Sequence, residues 1–216
     1  MVTLIGKNSC TLCNNCIRHH THHKTHTHHN TKTMQAKTVL RALGIVPARY
    51  ASTRFPGKLV ADLGGKPIVV RTIEAAQQAA TLAEVWLATD DSRISDVVHT
   101  FCPQVDTVLT SLDCPSGSDR LVEALRSKKL IPPSAAQPTT SSTGLVLPVD
   151  FPYDVIVNVQ GDEPLLNPTH IDLLVRCLAD TPEADIATLV VPLDATTPHV
   201  SGCTVVACVF SFHSQD

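Results

Sequence analysis

Acidic residues are missing from the first 61 positions, so all 20 aspartates and glutamates of this 216-residue chain lie from Asp62 onward. The same opening stretch holds nine of the 17 lysines and arginines, which leaves eight cations against 20 acids in the remainder, a balance of −12. A domain that grips duplex nucleic acid clusters its cations through the folded part, and this distribution excludes one. An anionic ligand would instead have to be caught by a local cationic loop. Long apolar runs are missing too: the longest, residues 205–210, has the length of a strand and falls far short of the ~20 residues that span a bilayer. No Gly-x-x-x-x-Gly-Lys-Ser/Thr pattern occurs, which disfavours a standard ATPase, and no Gly-x-Gly-x-x-Gly, which disfavours a dinucleotide site. The five cysteines beyond residue 38 (Cys102, Cys114, Cys177, Cys203 and Cys208) show no short paired spacing, so a disulfide scaffold is not expected and a reducing, cytoplasmic setting is.

What is present begins with a biased segment. Residues 1–38 carry Cys10, Cys13 and Cys16 and then His19, His20, His22, His23, His26, His28 and His29, with few apolar side chains. Thiolates and imidazoles at such spacing suit zinc or an iron–sulfur cluster. Without flanking strands or helices, and without the fourth Cys followed by Pro of a ferredoxin-type run, the segment reads instead as a disordered tail that binds metal adventitiously. Its lack of acids is also compatible with an organelle-targeting peptide, and Met34 is an equally good start of the protein.

From Thr38 the pattern alternates. Strands are expected at 39–46, 84–89, 106–110, 153–159 and 184–193, with one more at 204–210. Between them, Val69, Ile73, Ala76 and Ala80 recur at helical spacing, Asp90-Asp91-Ser92 and Ser116-Gly117-Ser118 open two further helices, and Asn167-Pro168 caps another. The Pro-, Ser- and Thr-rich stretch at 130–152 breaks the rhythm and reads as a surface insertion. The division expected is a tail at 1–38, one α/β domain at 39–198 and a divergent C-terminus at 199–216. Its fold class is a Rossmann-like α/β arrangement, a mainly parallel sheet with helices on both faces, which binds ligands at the carboxyl ends of its strands.

Four turns follow strands and so share that rim. The first, in GIVPARYASTRFPGK at 44–58, carries Arg49, Arg54 and Lys58, with Gly57 for close approach and Pro47 and Pro56 for stiffness, a layout suited to a polyphosphate. The others are Asp90-Asp91, the turn from Ser116 to Arg120, and Gln160-Gly161-Asp162-Glu163-Pro164. A nucleoside triphosphate needs cations on its phosphates and a hard divalent ion held by one or two carboxylates, for which Asp162 is the candidate. Each residue taken alone is more readily a solvated side chain or a turn residue.

Together these stretches carry a resemblance. The opening loop is similar to IPARYxSTRxPGKPL, LATDD at 87–91 to VATDD, PSGSDRLVEAL at 115–125 to xSGTDRLAEA, and VNVQGDEPLL at 157–166 to VNVQGDEPxI. These are the motifs, in order, of the 3-deoxy-manno-octulosonate cytidylyltransferases, the CMP-Kdo synthetases, over about residues 43–193. The related CMP-sialate synthetases differ in the loop and lack QGDEP. The resemblance implies transfer of CMP from CTP to Kdo with release of pyrophosphate and with Mg2+ as cofactor. It also implies catalytic roles for Arg49, Lys58 and Asp162, the last as metal ligand. Substrate contacts would come from Ala48, Arg54, Asp90, Ser116, Gly117, Arg120 and Gln160, with Ser116 and Gly117 beside the cytidine and Gln160 near the sugar. CTP and Kdo are the expected partners. Such enzymes are homodimers whose later half supplies sugar contacts, a second metal-binding Asp and the dimer surface. Past about Pro198 the likeness ends, so a truncated form of doubtful activity is expected, with another sugar nucleotidyltransferase or a non-catalytic nucleotide-binding fragment as the alternative.

Overall fold

A computed structural model describes residues 2–5, 40–52, 55–132, 148, 150–181, 184–189 and 207–211. Among these residues seven strands form one sheet: β1 (Val2–Ile5), β2 (Ala42–Ala48), β3 (Leu82–Thr89), β4 (Asp106–Leu109), β5 (Val155–Val159), β6 (Ile186–Leu189) and β7 (Ala207–Ser211). Their spatial order is β1-β6-β7-β5-β2-β3-β4. Strands β5, β2, β3 and β4 are paired in parallel. β7 is antiparallel to both β5 and β6, and β1 is antiparallel to β6. The expected mainly parallel sheet therefore holds for five strands, and β1 and β7 run against them.

β7 realises the strand expected at 204–210. β1 lies inside the stretch expected to be a disordered tail, and this is a correction at residues 2–5: four consecutive non-charged residues pair along the β6 edge. The Cys and His residues of the tail lie outside the described residues, as does Arg54.

Among the described residues, four α-helices connect the strands: α1 (Ile68–Ala76), α2 (Ser92–Phe101), α3 (Gly117–Ser127) and α4 (Pro168–Ala179). The expected starts are all present as caps. Asp91, Ser116 and Asn167 accept hydrogen bonds from the backbone N–H groups of Arg93, Asp119 and Thr169, each satisfying a donor that the first turn leaves without a partner. α1 stops at Ala76, one turn short of the spacing that had included Ala80, and the chain turns through Gln77 and Gln78 toward β3.

Side-chain alternation along β2 divides the core into two layers. Ala42, Val46 and Ala48 face a layer with Val69, Ile73, Ile94, Val98, Ile171 and Leu174, contributed by α1, α2 and α4. Leu43 and Ile45 face Trp86, Leu121, Ala124 and Leu125, the last three from α3. Helices thus cover both faces, as expected. The stretch at 130–152 is not wholly a surface loop: Ile131 is buried, and Leu130 and Phe151 pack on the α3-side layer. Its apolar ends are anchored in the core, and residues 133–147 and 149 lie outside the described residues.

Candidate active site

The parallel strands end at one rim, and β2 is where their order reverses, since β3 follows on one side and β5 lies on the other. Pairing between β2 and β5 ends at Ile45 and Asn158, whereas β2 stays paired with β3 through Ala48. A crevice between diverging strand ends is where open α/β sheets bind ligands. Pro47, which has no N–H for a ladder, falls past the last β2–β5 pair.

The cationic loop leaves β2 at Ala48, which is buried. Arg49 is exposed and makes no hydrogen bond or ion pair with the described residues. The loop closes where the Gly57 N–H donates to the Tyr50 carbonyl at 3.1 Å. Gly57 has φ +69°, and a Cβ there would meet the Tyr50 hydroxyl at 3.0 Å. Gly57→Ala is therefore expected to cost about 1–2 kcal/mol, read as a lower urea midpoint. A short 3-10 turn follows over Lys58–Val60, anchored by the buried Leu59, and it presents Lys58 to the crevice.

Opposite, the turn after β5 packs hard against the end of β2. A Cβ on Gly161 would lie 3.1 Å from the Pro47 carbonyl oxygen, and the fully buried Thr72 of α1 donates its hydroxyl to the Gly161 carbonyl at 3.0 Å. This fixes the backbone that carries Gln160 and Asp162. The result is a direct contact across the crevice: Lys58 Nζ lies 2.7 Å from Asp162 Oδ2, with both side chains close to half exposed.

A second pair lies beneath the rim. Arg120 of α3 and Asp90, just past β3, meet at 2.8 Å with side chains only 4% and 5% exposed. Arg120 also donates to the Thr110 hydroxyl and to the Ser111 carbonyl, and Asp90 Oδ1 accepts the Tyr50 N–H at 3.3 Å. One buried pair therefore ties together the turns after β2, β3 and β4. Neither charge faces the open crevice, so Asp90 and Arg120 stand here as holders of the rim. Ser116 is engaged as the α3 cap, and Gly117 lies against Pro47.

Three side chains at this rim had no assigned role in the motif reading. Arg93 grips Asp91 with two hydrogen bonds of 2.8 and 2.6 Å and places its guanidinium carbon 3.4 Å from the centre of the Tyr50 ring. Those hydrogen bonds hold the Asp91 carboxyl down at about 2. Tyr50 stands beside Arg49 inside the loop motif, and that adjacency was its signal. Thr72 left none, because its contact is made across 89 residues. Near the rim, burial and a hydrogen bond to Glu123 push the Cys114 thiol up to about 11. At pH 8 its thiolate fraction should be about a hundredfold below that of an ordinary cysteine. Slow iodoacetamide labelling followed by mass spectrometry, faster in Glu123→Gln, checks this.

The cytidylyltransferase family model matches residues 43–202, most of the domain just described. This chain belongs to the cytidylyltransferase family. Among curated cytidylyltransferases, the 3-deoxy-manno-octulosonate cytidylyltransferase of Protochlamydia amoebophila (strain UWE25) is 39% identical over 167 residues, covering 77% of this chain and 56% of the relative. The mitochondrial 3-deoxy-manno-octulosonate cytidylyltransferase of Arabidopsis thaliana is 38% identical over 168 residues, with 76% and 50% covered. A solved structure of CMP:2-keto-3-deoxy-manno-octonic acid synthetase complexed with CTP superposes with a TM-score of 0.54 at 34% identity, covering 68% of this chain and 50% of that one. The chain spans about half the length of the curated relatives it matches. Among the described residues no helix is long and apolar enough to cross a membrane.

Proposed function

We propose that this cytidylyltransferase binds CTP at the crevice between β2 and β5 and transfers CMP to the anomeric hydroxyl of Kdo, releasing pyrophosphate. The observation that carries the reading is the meeting of Lys58 and Asp162 at 2.7 Å, because two residues 104 positions apart supply the opposite charges a metal–triphosphate needs. Lys58 and the exposed Arg49 neutralise the β- and γ-phosphates as charge moves to the leaving pyrophosphate. Arg54, in the same loop, adds a third cation. Gln160, one residue past β5, orients the acceptor sugar, and the capped start of α3 at Ser116 and Gly117 borders the cytidine. With the rim fixed from below, the contribution of these residues is mainly positioning and charge neutralisation.

Mg2+ is the cofactor we propose, and the donor set fits it. Among the described residues no group of three His, Cys, Asp or Glu side chains is placed to hold a metal. A hard cation that keeps most of its waters needs only one or two carboxylates plus phosphate oxygens, and Asp162 offers a half-exposed carboxylate already facing a cation. When bound, Mg2+ supplies Lewis-acid polarisation of the phosphoryl oxygens.

The test is pyrophosphate release from CTP plus Kdo with Mg2+, run beside melting curves with CTP and Mg2+. The expected result is release together with a rise in Tm. A rise in Tm without pyrophosphate restricts the protein to nucleotide binding, and no response to CTP in either measurement overturns the proposal. Free sialate serves as the competing acceptor.

A further inference from the structure

The Lys58–Asp162 contact has a second implication, which rests on the reading of Asp162 as the metal-side carboxylate. We propose that Lys58 acts as a built-in substitute cation on Asp162, so that a divalent ion gains the carboxylate only when a triphosphate draws the ammonium away. Metal and nucleotide then enter as a coupled pair, and the metal alone binds poorly.

The geometry supports an exchange confined to side chains. Lys58 begins a 3-10 turn whose backbone is held by the Gly57 N–H bond to the Tyr50 carbonyl and by the buried Leu59. Asp162 follows Gly161, whose carbonyl is held by Thr72. Neither backbone needs to move. The Lys58 stem is flexible, and the Lys58 and Asp162 side chains are 41% and 46% exposed, so their pairing is weak and screened and is readily exchanged for another. A triphosphate offers the ammonium several anionic oxygens in place of one carboxylate oxygen. Once it has moved, Asp162 is left as a hard oxygen ligand with no cation on it, and the charge that had repelled a divalent ion now sits on the nucleotide. The coupling is reciprocal, so the metal also strengthens nucleotide binding. In this scheme Lys58 has two successive partners, and its resting one keeps Asp162 from collecting stray divalent ions.

The experiment is water proton relaxation enhancement with Mn2+ on the full chain, which separates protein-bound Mn2+ from free Mn2+ and from Mn2+–CTP. Removing a cation a few ångströms from the metal position is worth about a tenfold change in affinity. Lys58→Met should therefore bind Mn2+ alone about tenfold more tightly than the native chain, with Lys58→Gln as a second variant should the first fold poorly. Lys66→Met removes the same charge where the ammonium pairs with Glu74 instead, and should leave Mn2+ affinity unchanged. Asp162→Asn in the Lys58→Met background should abolish the gain. In the native chain CTP should raise Mn2+ affinity, and in Lys58→Met that dependence should shrink. Equal or weaker Mn2+ binding by both Lys58 variants, or an equal gain from Lys66→Met, would overturn the substitute-cation role. Absence of any CTP effect in the native chain, with the Lys58 gain intact, would overturn the triphosphate trigger and leave only competition for Asp162, while the proposed function is judged separately by pyrophosphate release and the Tm response to CTP.

Discussion

Asp90→Ala is expected to lose about 3–5 kcal/mol of folding stability, because it leaves the Arg120 guanidinium buried without its partner. The change reads as a fall in Tm on the order of 10 °C. Arg120→Ala should be milder in charge terms but frees Asp90, Thr110 and Ser111 together, so a similar loss is expected. The informative variant is the apolar double replacement Asp90→Leu with Arg120→Met. Exchanging a whole buried pair for apolar side chains of similar volume is often neutral or stabilising, so most of the lost stability should return in urea unfolding. CTP binding should not return with it. Asp90 also accepts the Tyr50 N–H, and without that bond the cationic loop loses its tie to the turns after β3 and β4. A double variant that regains both stability and CTP-dependent melting would show that the pair does not position the loop.

Asp162→Ala is expected to have the opposite profile. Its ion pair with Lys58 is close to half exposed, so stability should fall by no more than about 1 kcal/mol. Metal-dependent pyrophosphate release from CTP plus Kdo should fall by at least a hundredfold, about 3 kcal/mol of barrier. Undiminished turnover in this variant would remove Asp162 from the site. The contrast between the two variants separates residues that build the rim from residues that work on it.

Much of this was legible in the chain before folding. The helix starts at Asp91, Ser116 and Asn167 were readable because a cap is a local event, a side-chain oxygen meeting an N–H two or three residues on. The parallel strands β2, β3 and β5 were readable because strands buried on both faces are nearly continuous apolar runs. Their ends were less so: α1 stops short of Ala80, and the turn after it buries Ala79 and leaves Ala80 exposed, so the apolar spacing there belongs to a turn and not to the helix. β1 left no local signal, since four residues pairing with a strand far along the chain show no period of their own.

Within the site, the sequence by itself determined the residue types and their common address. Strand-then-turn punctuation places the turns after β2, β3, β4 and β5 on one rim, whatever the details of packing. Only the tertiary structure decided how those residues divide their work. Asp90 and Asp162 look alike as acids at strand ends, but Asp90 is 5% exposed and locked to Arg120, whereas Asp162 is 46% exposed and faces Lys58. That difference follows from which helix covers each strand end: α3 closes over the turns after β3 and β4, while the crevice between β2 and β5 stays open. Burial is a property of the packed layers, not of any local stretch of chain, and burial is what turns one carboxylate into a fastener and leaves the other free to exchange cations.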